Sequence, residues 1–209
     1  MYVKPLVVGE LQSNAYIVGC PVKKAAAVID PGAEGERILE AVRTQGFKLT
    51  HILLTHGHAD HIGGVLVLRQ ATGAPVAIHA ADASMLGDPA LNLSLYFGKG
   101  YTAAPPDIEL KHGDVIEVGE FSLETRHTPG HTQGSVCFVA PGAVFSGDTL
   151  FAGSVGRTDF PGGNLQELLR SVKDQLLSLP EATIVYPGHG PASTIGEERE
   201  HNPFLTADW

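Results

Sequence analysis

Residues 52–64 read ILLTHGHADHIGG, and the reading of the whole chain turns on them. The apolar run Ile52-Leu53-Leu54 has the composition of a short buried strand, and it leads straight into His56, His58, Asp60 and His61. His56 and His58 are two residues apart on a short loop, where backbone alternation can aim both rings at one point. Gly57 between them permits dihedrals that other residues avoid. Asp60 and His61 open the helix that follows and turn toward a neighbouring point. One short stretch can therefore serve two adjacent metal ions.

Three further candidates stand in similar settings. His131 lies in TPGHT, a turn between two β runs. Asp148 lies in SGDT, after the apolar run that ends at Phe145, and His189 lies in PGHG, after a strand that ends at Tyr186. Each is a polar residue at a Gly-flanked strand exit, which suits ligands gathered on one rim of a sheet sandwich. Imidazole and carboxylate donors without thiolate suit zinc, and also iron or manganese. A lone histidine is usually a solvated or hydrogen-bonded residue. The combination H-x-H-x-D-H with three more His or Asp at strand exits points instead to a metal centre.

Working outward, the first third alternates strand and helix signals. Residues 2–8, 15–18 and 25–29 read as strands, the last ending at the turn Asp30-Pro31-Gly32. Residues 33–45 read as a helix with Ile38, Leu39 and Val42 on one face, and residues 62–71 as a second helix before Gly73. Val76-Ala77-Ile78 is another strand. Residues 87–106 break the rhythm and read as a flap beside a pocket. Residues 115–118, 121–126, 136–139 and 143–145 form a β meander, and 183–186 a final strand. Between them, residues 164–177 carry a helix, with Asn164 and Glu167 in a capping-box pattern. No linker or repeat interrupts the chain, so one domain over residues 1–209 is expected.

Composition narrows the function. Of 209 residues, 43% are hydrophobic and 18% charged, a balance that folds. No apolar run approaches the ~20 residues of a spanning helix, and MYVKPLVVGE has no basic-then-apolar leader, so a cytoplasmic location fits best. A net charge of −9 without a basic cluster argues against nucleic acid or an anionic membrane surface as partner. Cys20 and Cys137 are far apart, belong to no C-x-x-C pair, and read as packed, reduced thiols.

THGHADHIGG, TPGHT, SGDTLF and PGHG, in that order, resemble the motifs of the metallo-β-lactamase-fold superfamily. The resemblance implies an α/β fold, an αββα four-layer sandwich with a metal site at one edge. It implies two divalent ions, zinc foremost and iron or manganese as options. His56, His58 and His131 would hold the first, Asp60, His61 and His189 the second, and Asp148 would bridge them. SGDTLFAGSVGRTDFPGG and STIGEEREHNPF are most similar to short, single-domain bacterial type II members of the glyoxalase II group, the hydroxyacylglutathione hydrolases. Longer members carry a C-terminal helical extension with basic residues for glutathione; this chain ends at Trp209 without it. They also carry a Tyr after the last ligand, where Gly190-Pro191 stands here.

The implied reaction is hydrolysis of small-molecule thioesters such as S-lactoylglutathione by a metal-bridging hydroxide, with Asp60 and Asp148 as catalytic carboxylates. Two divalent ions, less two aspartates and one hydroxide, leave about one positive charge to favour an anionic tetrahedral intermediate. A thiolate, from a thiol of pKa ~8.5, leaves without a dedicated proton donor. Arg157, Lys99 and Tyr101, with Tyr96, are candidate substrate contacts; an Arg157 ion pair with Asp159 is the bland alternative. Asp30 is placed to brace the ligand loop, with a plain turn role as the alternative. His79 and His127 read as packed, and His51, His112 and His201 as ordinary. The rival readings are an iron-dependent persulfide dioxygenase with a single iron and a non-catalytic metal-binding module. The acyl group, the thiol carrier and the oligomeric state are not set by the sequence.

Overall fold

A computed structural model describes residues 1–206. Two six-stranded sheets form its middle. The first runs β1 (Tyr2–Val8), β2 (Ser13–Cys20), β3 (Ala25–Ile29), β4 (Lys48–Leu53), β5 (Val76–His79) and β6 (Ile108–Leu110), in that spatial order. Its first three strands are antiparallel neighbours, and β3 through β6 are parallel. The intervening helices are α1 (Gly35–Thr44), the single turn α2 (Ala59–Ile62) and α3 (Val65–Thr72).

The second sheet contains β7 (Val115–Val118), β8 (Phe121–His127), β9 (Val136–Ala140) and β10 (Ala143–Gly147). A short pair, β11 (Leu150–Phe151) and β12 (Ser154–Val155), lies outside it. α4 (Leu165–Ser171) then leads to β13 (Ile184–Pro187) and β14 (Ser193–Thr194), which complete the second sheet in the order β14-β13-β10-β9-β8-β7. α5 (Ile195–His201) and α6 (Pro203–Thr206) follow.

Three apolar layers hold these parts together, and the period-2 alternation of the strands sorts residues between them. Ile17, Val28, Ile52 and Ile78 face Ile38 and Val42 of α1 and Val65 and Leu68 of α3. Their neighbours Tyr16, Val18, Ile29 and Leu53 face the other way, against Ile116, Leu123, Phe138 and Phe145 of the second sheet. Cys137, Val144 and Val185 then face Leu168, Val172, Leu176 and Ile195. Helix, sheet, sheet, helix is the four-layer αββα sandwich expected from the motifs. Strands covered on both faces need no polar face; every residue of β2 is buried. Cys20 and Cys137 are buried free thiols.

Element boundaries shift where tertiary contacts override local pattern. The helix expected at residues 62–71 is split into α2 and α3. Gly63 and Gly64 divide it because their amides donate to Gly32 O (3.0 Å) and Pro31 O (2.7 Å) of the Asp30-Pro31-Gly32 turn. A side chain at position 64 would stand 2.8 Å from Pro31 O, so glycine is required for this approach. The helix expected over 164–177 is α-helical to Ser171 and widens to a π-turn at Val172–Leu176. Asn164 caps it by accepting from Glu167 N at 3.1 Å.

Phe138 and Phe145 are fully buried between the sheets. Replacing Phe138 by Ala is expected to lower unfolding stability by about 3–5 kcal/mol in urea denaturation. Val22→Ala, at a position 70% exposed, should stay within about 0.5 kcal/mol of the parent.

Candidate metal centre

The residues singled out in the sequence leave the sheets on one rim. His56, His58, Asp60 and His61 follow β4, His131 follows β8, Asp148 follows β10 and His189 follows β13. The fold brings all seven together. Donor atoms of His56, His58 and His131 lie within 4.8 Å of one another, as do those of Asp60, His61 and His189. Asp148 stands between the sets, its carboxylate 3.4 Å from His61 Nε2, 3.6 Å from His131 Nε2 and 3.8 Å from His189 Nε2. A third grouping within the same limit, Asp30, His56 and His61, shares two of these rings.

Hydrogen bonds behind the rings fix which nitrogen faces inward. Asp30 accepts from Thr55 N at 2.7 Å and Thr55 Oγ1 at 2.6 Å, and its Oδ2 lies 3.0 Å from His61 Nδ1. His61 therefore carries its proton on Nδ1 and presents Nε2. Because the Thr55 hydroxyl is spent on Asp30, it can only accept from His56 Nδ1, 3.1 Å away, which leaves His56 Nε2 bare. His131 Nδ1 donates to Arg157 O at 2.7 Å, and its Nε2 lies 2.9 Å from His58 Nδ1. His56 Nε2, His61 Nε2 and Asp148 Oδ1 are buried and make no well-formed hydrogen bond, His61 Nε2 and Asp148 Oδ1 facing each other at 3.4 Å. Buried polar atoms left unmatched are expensive, and these three converge on one place, as cation ligands would.

The electrostatics follow from this crowding. Burial, then the neighbouring imidazoles, push His56 far below the ordinary histidine range and His58 down to about 3, so both are neutral donors near pH 7. Burial also works against a charge on His61, but Asp60, Asp148 and Asp30 outweigh it and hold that ring well above the usual value. Burial pushes the Asp148 carboxyl up, and His61, His131 and His189 more than reverse it.

Several bracing residues carried no sequence signal strong enough to single them out. Asp82, fully buried, accepts from Gly57 N (3.1 Å), Thr132 Oγ1 (2.7 Å) and Gly134 N (2.7 Å), so one carboxylate ties the His56-His58 loop to the His131 loop. Burial pushes its carboxyl up against the pull of those donors. Its one sequence cue is a polar residue soon after a strand, as at Asp30. Asn14 Nδ2 donates to Pro187 O (3.0 Å) and Gly190 O (2.9 Å), and Tyr16 Oη to Pro187 O (2.6 Å), which fixes the His189 loop from β2. Gly188 lies so close to Asp148 Oδ1 that a side chain there would collide with it, and would stand 2.8 Å from His61 Cε1.

The donors open onto a cavity of about 690 Å³, lined by His58, Asp60, His131, Asp148 and His189 at its base and by Leu11, Leu93, Tyr96, Phe151, Val155 and Phe160 on its walls. The flap region contributes Asn92, Leu93 and Tyr96 to it. Arg157 also lines it, but its Nε and Nη2 both donate to Asp159 at 2.7 Å. Lys99 is exposed and does not line the cavity. Tyr101 lines a second, smaller cavity of about 210 Å³ that shares Leu11, Ala59 and Asp60 with the first, and its hydroxyl donates to Ala59 O. Asn92, fully buried, donates to Met85 O and Tyr101 O and so ties this part of the flap together. His79 and His127 stack on each other at 4.1 Å, and His127 Nε2 bonds Gln133 O at 2.9 Å.

Fold and site together are those of the metallo-hydrolase superfamily. The sequence profile of the Metallo-beta-lactamase superfamily matches residues 8–189, and the chain belongs to that superfamily. Among its relatives, the probable metallo-hydrolase YqgX of Bacillus subtilis is 41% identical over 95% of this chain and 94% of its own. The hydroxyacylglutathione hydrolase GloC of Haemophilus influenzae is 36% identical over 88% and 89%. Similar solved structures are BLEG-1 B3 metallo-beta-lactamase (TM-score 0.94, 41% identity, 99% and 100% covered) and TTHA1623 in a di-iron-bound form (0.86, 41%, 97% and 100%). ETHE1 from Myxococcus xanthus is also similar (0.81, 34%, 97% and 84%).

Asp30→Ala and Asp82→Ala each remove a carboxylate that orients these loops. Each is expected to weaken zinc binding about 10–100-fold in a chelator-competition titration. Asp82→Asn, which keeps an acceptor oxygen, should lose less than Asp82→Ala.

Proposed function

We propose that the chain is a thioester hydrolase with a dinuclear metal centre, active on substrates such as S-lactoylglutathione. The observation that carries this reading is the set of buried His56, His61 and Asp148 donor atoms that make no hydrogen bond, beside His58, Asp60, His131 and His189, which with Asp148 form the base of an apolar-walled cavity. Their chemistry fits two divalent cations, zinc foremost by donor type, with iron or manganese as options and the similarity to a di-iron protein in favour of iron. His56, His58 and His131 would hold one ion, Asp60, His61 and His189 the other, and Asp148 both. Bound there, the ions supply Lewis acidity and hydroxide at neutral pH.

The chain's own residues do the rest. Asp30, Thr55 and the Arg157 carbonyl hold the imidazoles in the ligating tautomer. The walls formed by Leu93, Phe151, Val155 and Phe160 exclude water from the acyl group. Asp60 lies at the cavity base with its Oδ2 3.1 Å from His189 Nε2, where it can take up or return a proton. A departing thiolate requires no strong acid, which suits a site whose lining offers no other carboxylic acid than Asp60 and Asp148 among the described residues. The similarity to GloC supports the thioester class. A second reading, an iron-dependent persulfide dioxygenase, is favoured by the similarity to ETHE1.

Protein loaded separately with zinc and with iron should cleave S-lactoylglutathione in a thiol-release assay. His58→Ala and Asp148→Ala should each lower the rate by more than about 100-fold, beyond the usual loss for an outer partner. Oxygen uptake with glutathione persulfide by the iron form, without thioester cleavage by either form, would overturn this in favour of the dioxygenase.

A further inference from the structure

We propose that, among the thioesters it cleaves, the cavity favours those whose parts beyond the reacting carbonyl carry no net negative charge, and turns over anionic ones such as S-lactoylglutathione less efficiently. The Arg157–Asp159 pair sets this preference by withholding the cavity's guanidinium from an anionic substrate. The inference deepens the thioesterase reading and rests on it.

Leu11, Leu93, Tyr96, Phe151, Val155 and Phe160 form the walls, and among the described residues Arg157 is the one Arg or Lys side chain lining them. Its Nε and Nη2 meet Asp159 Oδ1 and Oδ2, both at 2.7 Å. That is the parallel two-bond geometry a substrate carboxylate would itself use. The Phe160 ring lies 3.9 Å from the guanidinium carbon and holds its plane in this orientation. Asp159 is two residues away in the chain, so it competes at a high and constant local concentration. Both side chains are more than half exposed, so the pair can exchange partners, and the competition is one of degree.

Two further facts act in the same direction. Lys99, the other cation of the region, is outside the lining. The chain carries a formal net charge of −9 before any cation binds, an overall balance that does not draw anions toward it. A peptide carrier with two carboxylates and one ammonium therefore meets no uncommitted cation on the walls, whereas a neutral carrier gives up nothing there.

The test compares two thioesters with the same acyl group on the metal-loaded protein, one on glutathione and one on N-acetylcysteamine. The neutral thioester should show the higher kcat/KM. Asp159→Asn should raise the glutathione-to-neutral ratio of kcat/KM about threefold, through KM, a gain of the size exposed ion pairs confer. The double variant Arg157→Gln/Asp159→Asn should cancel that gain, because the freed guanidinium is then absent. A parent enzyme that prefers the glutathione thioester, an unchanged ratio in Asp159→Asn, or a gain that persists in the double variant would each overturn the proposal. Cleavage of neither thioester by the parent enzyme would instead overturn the thioesterase reading on which it rests.

Discussion

The site depends on one buried carboxylate. Asp30 is 1% exposed, and it accepts from the Thr55 amide, the Thr55 hydroxyl and the His61 ring. A carboxylate taken out of water is tolerable only when its lone pairs are matched in this way. The same three bonds set two tautomers: His61 directly, and His56 through Thr55. Asp30 itself takes a left-handed backbone (φ 48°), strained for a residue other than glycine. That strain is held in place by the turn it opens, whose Pro31 and Gly32 carbonyls receive the Gly64 and Gly63 amides. Turn, bracing carboxylate and ligand loop thus form one unit.

The sandwich makes that unit useful. Parallel strands β3, β4 and β5 end on the same rim, so Asp30, the His56-His58 loop and Asp82 emerge side by side. The second sheet brings His131, Asp148 and His189 to the same rim from β8, β10 and β13. Contacts between the sheets then fix the halves of the site to each other. Asp82 reaches across to Thr132 and Gly134, and Asn14 and Tyr16 reach across to the loop that bears His189. The apolar layer containing Phe138 and Phe145 and these polar struts do the same job at different depths.

The candidate ligands were legible because metal chemistry uses uncommon residue types at fixed spacing beside strand ends. His56, His58, Asp60 and His61 could be read from one loop, and His131, Asp148 and His189 from their Gly-flanked turns. Asp30 was half legible, since a strand-ending Asp before Pro-Gly serves a plain turn equally well. Asp82, Asn14 and Asn92 were not legible. Asp82 and Asn14 bond groups distant in sequence and Asn92 bonds two carbonyls nearby in sequence, and a common polar residue gives no hint of which partner it will meet. The split between α2 and α3 was hidden for the same reason: Gly63 and Gly64 serve a contact with Gly32 and Pro31, not a local preference. Side chains of the flap were the least legible. Tyr96 meets the cavity while Lys99 and Tyr101 do not, and Asn92 ties the Tyr101 carbonyl back within the flap.

In the proposed reading two neighbouring donor sets, with Asp148 between them, hold two cations. Elemental analysis of the folded protein after loading and exhaustive dialysis tests it most directly. About two transition-metal ions per chain are expected, falling to about one in His189→Ala with the circular dichroism spectrum unchanged. A folded wild-type chain that retains no transition metal would contradict it.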